Sequence, residues 1–417
     1  MRTPVFPGWW QVVVAMLIQA ASTAAVFTAF SVVAVAIQGE FGSSQTLIVL
    51  AITMTVLMAG IVNPFIGTAL DRHSIRTLLL LGAALLVAGF FCLSVTTSTL
   101  HVVIIYGALM APAVVLLGPI AASTLLARWF NRRRGMVMGI AASGTALGGL
   151  ALPPLLQGLI GAFEWRTGLQ IFSAVLFVVT VPAILLLAID RPEERGLHPD
   201  GESTPPPETT AQRDVGHFNS TAAVLRDPNF WFIATILGLV FAGLTALMSN
   251  LLPLVLDRGI TAEQGALLLS ILSAGNFGGK LLFASVADRI DLRLALAAAL
   301  VLVLISIFGF QQADSFKFFG VASLVLGLSA GGFLPLWGFL TARAFGPANV
   351  GRVMGLMTTV VTAFNLSSPL VFALVFDKTG SYNFALIGYM GLLLIALALL
   401  PRIRTDAVAM PAKAAVG

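Results

Sequence analysis

The chain has 417 residues, of which 58% are hydrophobic and only 10% are charged, whereas soluble globular domains have about 25% charged residues, so a water-soluble fold is excluded. One cysteine, Cys92, cannot form an internal disulfide, and four singly placed histidines give no support to a metal site. The formal net charge of +5 comes from arginines in short loops between apolar runs, which orient membrane helices and do not indicate nucleic-acid binding.

Apolar runs follow one another along the whole chain. A membrane-crossing helix needs about 20 apolar residues, and twelve runs qualify. They are residues 9–37, 45–70, 77–96, 101–126, 135–160 and 167–189, then 229–256, 262–286, 292–311, 317–340, 352–376 and 383–400. The runs do not alternate in polarity as barrel strands do, and the first is too long for a signal peptide. The sequence therefore predicts an all-α membrane protein with twelve transmembrane helices.

Basic residues predict the orientation of these helices. Eighteen lysines and arginines fall on the side that holds both termini, and only four, Arg166, Arg258, Lys317 and Lys378, fall on the opposite side. By the positive-inside rule, the N- and C-termini are cytoplasmic. We expect a multi-pass protein of the bacterial inner (plasma) membrane, with the lipid bilayer as its main surroundings.

A long polar stretch divides the chain at its middle. Residues 190–227 contain Pro205-Pro206-Pro207 with many polar residues, which is typical of a flexible linker. We predict an N-terminal six-helix bundle over 1–189, a cytoplasmic linker over 190–227 and a C-terminal six-helix bundle over 228–404. Residues 405–417 are predicted to be a disordered tail.

The two halves resemble each other in sequence. Asp71-Arg72 and Asp288-Arg289 are 217 residues apart, and Pro7-Gly8-Trp9-Trp10 matches Pro228-Asn229-Phe230-Trp231. Three further pairs are 216 apart: Pro119 and Pro335, Gly139 and Gly355, Pro153 and Pro369. A steady offset indicates a duplication, and two pseudo-symmetric six-helix bundles in parallel repeat resemble the major facilitator superfamily, which places its substrate site near the membrane midplane.

Loop motifs strengthen this resemblance. Gly67-Thr-Ala-Leu-Asp71-Arg72-His-Ser-Ile-Arg76 is similar to the superfamily's signature between spans two and three, and Ala287-Asp288-Arg289 is its weaker copy. An aspartate here can cap or pair with groups at neighbouring helix ends and so lock the cytoplasmic side in one state. The predicted gate residues are Gly67, Asp71, Arg72, Arg76, Asp288, Arg289, Arg128 and Arg134. The alternative is that these are solvated loop charges that only fix topology.

Three further segments resemble the branch that contains the monocarboxylate transporters and the oxalate:formate antiporter. They are Ala127-Arg128-Trp129-Phe130 with the following Arg134-Gly135, then Arg191-Pro192-Glu193-Glu194 through Gly201, and Arg226-Asp227-Pro228 through Trp231. The resemblance implies a monomeric symporter that moves a small organic anion with protons by alternating access. It implies no enzymatic activity and no cofactor.

Lys280 is the predicted substrate-binding residue. It is the only charge deep in a predicted span and precedes Asp288 by eight residues, which places it about 12 Å inside the helix end. A charge at that depth costs at least about 2.5–3.5 kcal/mol, and no acidic residue is predicted there, so we expect the substrate to supply the counter-charge. In the related branch, an arginine on span eight meets the substrate carboxylate, and alignment from Asp288 puts Lys280 in its place.

Asn276, one turn before Lys280, can share its face. Because lysine can release a proton where arginine stays charged, we hypothesise that Lys280 both binds the anion and relays a proton. The alternative is a neutral lysine, or one that extends toward the cytoplasm.

Other polar residues are weaker candidates. Asn250, Asn365 and Thr28 can contact substrate or equally form helix–helix hydrogen bonds. Asp257, near the external end of span seven, is a candidate proton relay or a solvated carboxylate. Where the lactate and oxalate carriers that the chain resembles have aromatic and basic groups, this sequence has Pro119, Gly327, Gly331 and Val361. The resemblance therefore implies a larger or more apolar acid than lactate.

Two transport functions remain open from the sequence. The first is a proton-coupled carrier of a small organic anion, a monocarboxylate. The second is a proton-driven exporter of drugs or metabolites, favoured by the glycine-rich stretch Gly144-Thr-Ala-Leu-Gly148-Gly149. No buried carboxylate pair or nucleophile constellation predicts an enzyme, and Gly278-Gly279-Lys280 lacks the spacing of a phosphate-binding loop.

Overall fold

A computed structural model of the protein describes residues 6–42, 45–201, 220–287 and 289–405. Its described residues are almost entirely helical and contain no strand. The twelve long helices are α1 Gly8–Phe41, α2 Gln45–Arg72, α3 Ile75–Ser94, α4 Thr99–Trp129, α5 Arg134–Ala162, α6 Trp165–Leu187, α7 Pro228–Asp257, α8 Ala262–Ala287, α9 Leu292–Gln312, α10 Phe316–Phe345, α11 Val350–Thr379 and α12 Asn383–Leu399.

The helices agree with the predicted spans. Within the described part of the chain, eleven helical stretches are long and apolar enough to cross a membrane. The remaining predicted span, 352–376, lies inside α11. Several helices are longer than their apolar runs, because the helical hydrogen bonds continue into polar ends, as in α10, whose last turn contains Arg343.

Large apolar side chains lie on the outside of the helices. Leu186 is 78% exposed, and Leu100 and Leu294 are each 64% exposed. Water would make so much exposed apolar surface unfavourable, but hydrocarbon does not. The structure is therefore that of a multi-pass membrane protein.

Two helices of the first half contain wider turns. α1 is π-helical over Ala20–Thr28, and α4 is π-helical over Tyr106–Met110. A π turn closes its hydrogen bonds over five residues instead of four. The repeat-related α10 is α-helical from end to end.

The chain forms two compact units. The first comprises Met1–Thr204 together with Val350–Thr359, and the second comprises Pro205–Asn349 together with Val360–Gly417. The start of α11 thus packs with the first unit.

Part of the predicted flexible linker has defined structure. Pro192–Arg195 and Pro199–Gly201 form short 3-10 turns, and Thr221–Arg226 forms a helix capped by Ser220. Flexibility over the whole of 190–227 was therefore too broad a prediction, since local hydrogen bonds hold these parts. The proline run and residues 406–417 lie outside the described residues.

Asp200 connects the second of these turns, Pro199–Gly201, to the loop between α4 and α5. Its carboxylate accepts hydrogen bonds from the main-chain N–H groups of Asn131 at 3.1 Å and Arg132 at 2.9 Å. The ring of Phe6 packs on Trp129 and Phe130, with ring centroids 5.9 and 5.6 Å away. The segment before α1, the end of α4 and the start of the linker therefore form one cluster in the first unit.

Candidate functional site

Lys280 lies in the second half of α8, seven residues before the last residue of that helix, in the second unit. Its side chain is buried, with 6% of its surface exposed, although it carries an amine at the end of a long chain. Asn276 precedes it by one turn on the same helix and is half-buried. Residues four apart share a face of a helix, so the amide and the amine face the same side of α8.

Glycines bring α10 into close contact with α8 beside Lys280. A Cβ built on Gly331 would overlap the carbonyl oxygen of Asn276 and lie 2.8 Å from the main-chain nitrogen of Lys280. A Cβ on Gly279 would overlap the carbonyl oxygen of Leu328 in the same way. Real Cβ atoms do not approach this closely, so the glycines allow main chain to touch main chain. This contact fixes the depth and direction of the Lys280 backbone.

The small residues that the sequence indicated near the substrate therefore have a packing role. Gly327, like Gly331, meets α8: a Cβ there would overlap the carbonyl oxygen of Leu272. These positions serve the α8–α10 contact and do not by themselves show a wide site.

Aromatic side chains lie on the other face of α10. The ring of Trp337 lies 5.7 Å from that of Phe241 on α7, and Phe333 lies 6.4 Å from Phe241. Trp337 is 6% exposed, and its indole Nε1 has no hydrogen-bond acceptor among the described residues. Trp337 and Phe241 were not candidates from the sequence, because their pairing links helices almost 100 residues apart.

The amide candidates have partners within the protein. The side chain of Asn365 on α11 lies 3.5 Å from the hydroxyl of Thr245 on α7, which is a helix–helix contact. Asn250 donates to the carbonyl oxygen of Ala246 in its own helix at 2.8 Å. Thr28 ends the π-helical part of α1 and is exposed. Thr28 belongs to the first unit, whereas Lys280 belongs to the second, so the role of Thr28 at the substrate site stays a prediction.

Two acidic candidates are not placed by the structure. Asp257 is the last residue of α7, but its side chain is not among those described. Asp288 lies outside the described residues, and its neighbour Arg289 is exposed. The weaker copy of the loop motif therefore stays a sequence prediction.

The stronger copy forms a defined cluster in the first unit. The carboxylate of Asp71, at the end of α2, accepts hydrogen bonds from the main-chain N–H of Gly351 at 2.9 Å and of Arg352 at 2.7 Å. These N–H groups belong to the first turn of α11, where helix geometry leaves them without intrahelical partners and where the helix dipole is positive. Asp71 therefore acts as the anionic cap of α11.

Glycine contacts support this cap from the same two helices. A Cβ on Gly67 would overlap the carbonyl oxygen of Gly351, and one on Gly355 would overlap that of Asn63. Further along, the hydroxyl of Thr359 donates to the carbonyl oxygen of Gly60 at 2.8 Å. The end of α2 and the start of α11 are in main-chain contact over about two turns.

Two arginines of the predicted gate, Arg128 and Arg134, bind main-chain carbonyls. Arg128 donates to the carbonyl oxygen of Leu70 at 2.6 Å, beside Asp71. Arg134 is buried and donates to Phe130 and Ala127, at 2.6 and 3.3 Å. The main-chain N–H of Arg76 donates to Asp190 at 2.8 Å, whereas Arg72 is exposed. Arg128 also donates to the main-chain carbonyl oxygen of Asp71 at 3.3 Å and so lies beside the Asp71 cap.

The chain resembles known transport proteins over most of its length. A family model described as Major Facilitator Superfamily matches residues 12–310 and 247–415. Mouse monocarboxylate transporter 12 is 25% identical over 417 residues, which is 92% of this chain and 83% of that protein. Human monocarboxylate transporter 11 is 27% identical over 329 residues, covering 76% of this chain and 66% of the relative.

Solved structures share the fold. The crystal structure of the human organic anion transporter MFSD10 (TETRAN) superposes with a TM-score of 0.72 at 15% identity, covering 95% of this chain and all of that one. At this identity, the likeness concerns the fold alone.

Proposed function

Because the chain belongs to the major facilitator superfamily, we propose that this transporter carries a small organic anion, a monocarboxylate, together with a proton by alternating access. The observation that carries the proposal is Lys280, a buried amine within a membrane helix, two turns from the end of that helix. An ionisable group at that depth is costly and is retained where it has a function. The relatives named as monocarboxylate transporters support an anionic substrate.

The backbone of Lys280 has a defined position, as a substrate-binding residue requires. Its backbone is fixed by the main-chain contact between α8 and Gly331, so its amine starts from a defined position. Asn276, one turn away, supplies amide N–H groups that can bind a second carboxylate oxygen. An ammonium and an amide on one face can thus bind a carboxylate at one end of a substrate.

Lysine also suits the coupling of protons to the anion. Unlike arginine, it changes charge readily when it loses contact with water. In this scheme, the carrier binds the anion after Lys280 has taken up a proton. The proton must leave Lys280 before the carrier can return to its starting state. Asp257 is proposed as a second relay position.

The Asp71 cap is proposed as the gate. Its hydrogen bonds to Gly351 and Arg352 would form in one state of the transport cycle and break in another, as switching elements do. We further propose cytoplasmic termini, an inner-membrane location and a monomer, on the distribution of basic residues and the family.

The test is transport into proteoliposomes with a panel of carboxylates, preceded by thermal-shift screening of the purified protein. A ligand that binds the folded state raises its apparent stability. We expect at least one acid to stabilise the natural protein and be transported, Lys280→Ala to lose both effects, and Lys280→Arg to keep binding. Lys317→Ala is the matched control, because that lysine is exposed near the start of α10.

The second candidate function is export of drugs or metabolites. It would replace the first if no carboxylate shifts the stability of the natural protein while cationic or neutral amphiphiles do. If Lys280→Ala transports acids as well as the natural protein does, Lys280 is not part of the binding site.

A further inference from the structure

Trp337 carries a buried hydrogen-bond donor that is left without a partner within the described part of the chain. Its side chain is 94% buried, and its indole N–H finds no acceptor in the described parts of the chain. A tryptophan elsewhere shows the usual arrangement: the indole N–H of Trp231 donates to the carbonyl oxygen of Leu225 at 2.8 Å. Unsatisfied buried donors are rare in native proteins, so each one needs an explanation.

The surroundings of Trp337 are aromatic: Phe333 is fully buried, and only Phe241 keeps part of its surface exposed. Phe241 on α7 is half-buried and lies against both Trp337 and Phe333. The three rings, here called the aromatic cluster, are Phe241, Phe333 and Trp337. Rings of this kind bind flat apolar groups through their faces and edges, and the indole adds one polar contact.

Along the axis of α10, the aromatic cluster lies one to two turns from the point where α10 contacts Lys280. Gly331 touches the main-chain nitrogen of Lys280, and Trp337 follows Gly331 by six residues on the same helix. At 1.5 Å per residue, this separates the two levels by about 9 Å along α10. Because Gly331 faces α8 and the aromatic cluster faces Phe241 on α7, a substrate that contacts both would extend along α10 and partly around it.

We propose that the aromatic cluster binds the apolar end of the substrate and that Trp337 Nε1–H donates to an oxygen near that end. The substrate class is then an aryl or similarly bulky monocarboxylate with a carbonyl or hydroxyl group a few bonds from the carboxylate. This inference rests on the proposed function, because Lys280 is the group that binds the carboxylate.

Two acids with one carbon skeleton test the donor. The acids are 4-oxo-4-phenylbutanoate, which has a ketone oxygen, and 4-phenylbutanoate, which has a methylene group in its place. Their KM values are measured in proteoliposomes for the natural protein, Trp337→Phe and the control Trp231→Phe. The ratio of the two KM values within one preparation does not depend on the amount of folded protein.

We expect the natural protein and Trp231→Phe to favour the keto acid by about 3- to 10-fold, the effect of one neutral hydrogen bond. Trp337→Phe keeps an aromatic ring but no donor, so its ratio should fall to about one. Phe241→Leu, a second variant at the aromatic cluster, should weaken transport of 4-phenylbutanoate relative to hexanoate by a similar factor.

The outcomes separate this inference from the proposed function. If carboxylates are transported in a Lys280-dependent way but the keto acid has no advantage, or keeps it in Trp337→Phe, the inference fails and the proposed function stands. If the protein transports other acids but neither phenyl acid, the inference also fails and the proposed function stands. If no carboxylate is transported, both fail together.

Discussion

One carboxylate oxygen of Asp71 accepts a 2.7 Å hydrogen bond from the main-chain N–H of Arg352, the third residue of α11. The two residues are 281 positions apart in the chain. Because the other carboxylate oxygen binds Gly351, one side chain satisfies two of the donors that a helix start leaves open.

Removal of this carboxylate should destabilise the protein. Hydrogen bonds to a charged group contribute about 1.5–3 kcal/mol, so Asp71→Ala should lower the free energy of unfolding by about 2 kcal/mol. Asp71→Asn keeps one acceptor oxygen and should lose about half as much. Thermal denaturation in detergent measures the loss, and hydrogen exchange at Gly351 and Arg352 locates it. Unchanged exchange at these two amides in Asp71→Ala would contradict the cap.

Adjacent glycines of α8 offer a matched pair of substitutions. A Cβ at Gly279 would overlap the carbonyl oxygen of Leu328, whereas one at Gly278 would only touch a Leu328 methyl at 3.5 Å. Gly279→Ala should therefore separate α8 from α10, cost about 1–3 kcal/mol and weaken substrate binding at Lys280. Gly278→Ala should be close to neutral. Equal thermal midpoints and equal KM values for the two variants would show that the close contact does not fix Lys280.

Asp200 should hold the linker against the loop between α4 and α5. It is the one non-glycine residue with positive φ among those described, at 63°, so glycine at this position removes the carboxylate without strain. In Asp200→Gly, we expect faster hydrogen exchange at Asn131 and Arg132 and easier proteolysis of the linker. The exposed Glu193→Ala serves as control. Exchange rates that match those of the natural protein would mean that other contacts hold this segment.

The charge of Lys280 sets the expected pH dependence of transport. If anion and proton enter together, uptake should rise as the external solution becomes more acidic, and a protonophore should abolish this rise. Lys280→Arg keeps a permanent charge, so it should still bind the acid but lose the acceleration by a proton gradient. Proteoliposome uptake with and without an imposed gradient measures both effects. Gradient-independent uptake by the natural protein would refute proton coupling.

The helices could be predicted from the sequence, and most contacts could not. Long apolar runs leave few alternatives to membrane helices, so each predicted run matches an observed helix, and only 77–96, 167–189 and 383–400 extend past the helix end, by one or two residues. The burial of Lys280 followed from its distance to the helix end. The partners of Asp71 could not be foreseen, because main-chain N–H groups have no sequence signal and the contact joins distant segments.

Glycine was the most ambiguous residue type in the sequence. Gly327 and Gly331 indicated a spacious substrate site, yet the structure uses them for close packing of α10 on α8. The same lack of a side chain permits an empty space or a tight contact, and only the position of the neighbouring helix decides between them. Trp337 could not be identified as a candidate from the sequence, because a missing hydrogen-bond partner is visible only in three dimensions.

The π turn of α4 accounts for a one-residue difference in length between the repeat-related helices α4 and α10. The helix starts Thr99 and Phe316 are 217 residues apart, but Trp129 and Phe345, where the same helices end, are 216 apart. α4 thus has 31 residues and α10 has 30, and the extra one falls between Thr99 and Pro119, where Tyr106–Met110 is π-helical. One inserted residue would rotate the rest of an α-helix by about 100°, but a wider turn absorbs it and leaves the later faces in register. Deletion of one residue from Tyr106–Met110 should therefore restore an uninterrupted helix, whereas the same deletion in α10 should misdirect the aromatic cluster.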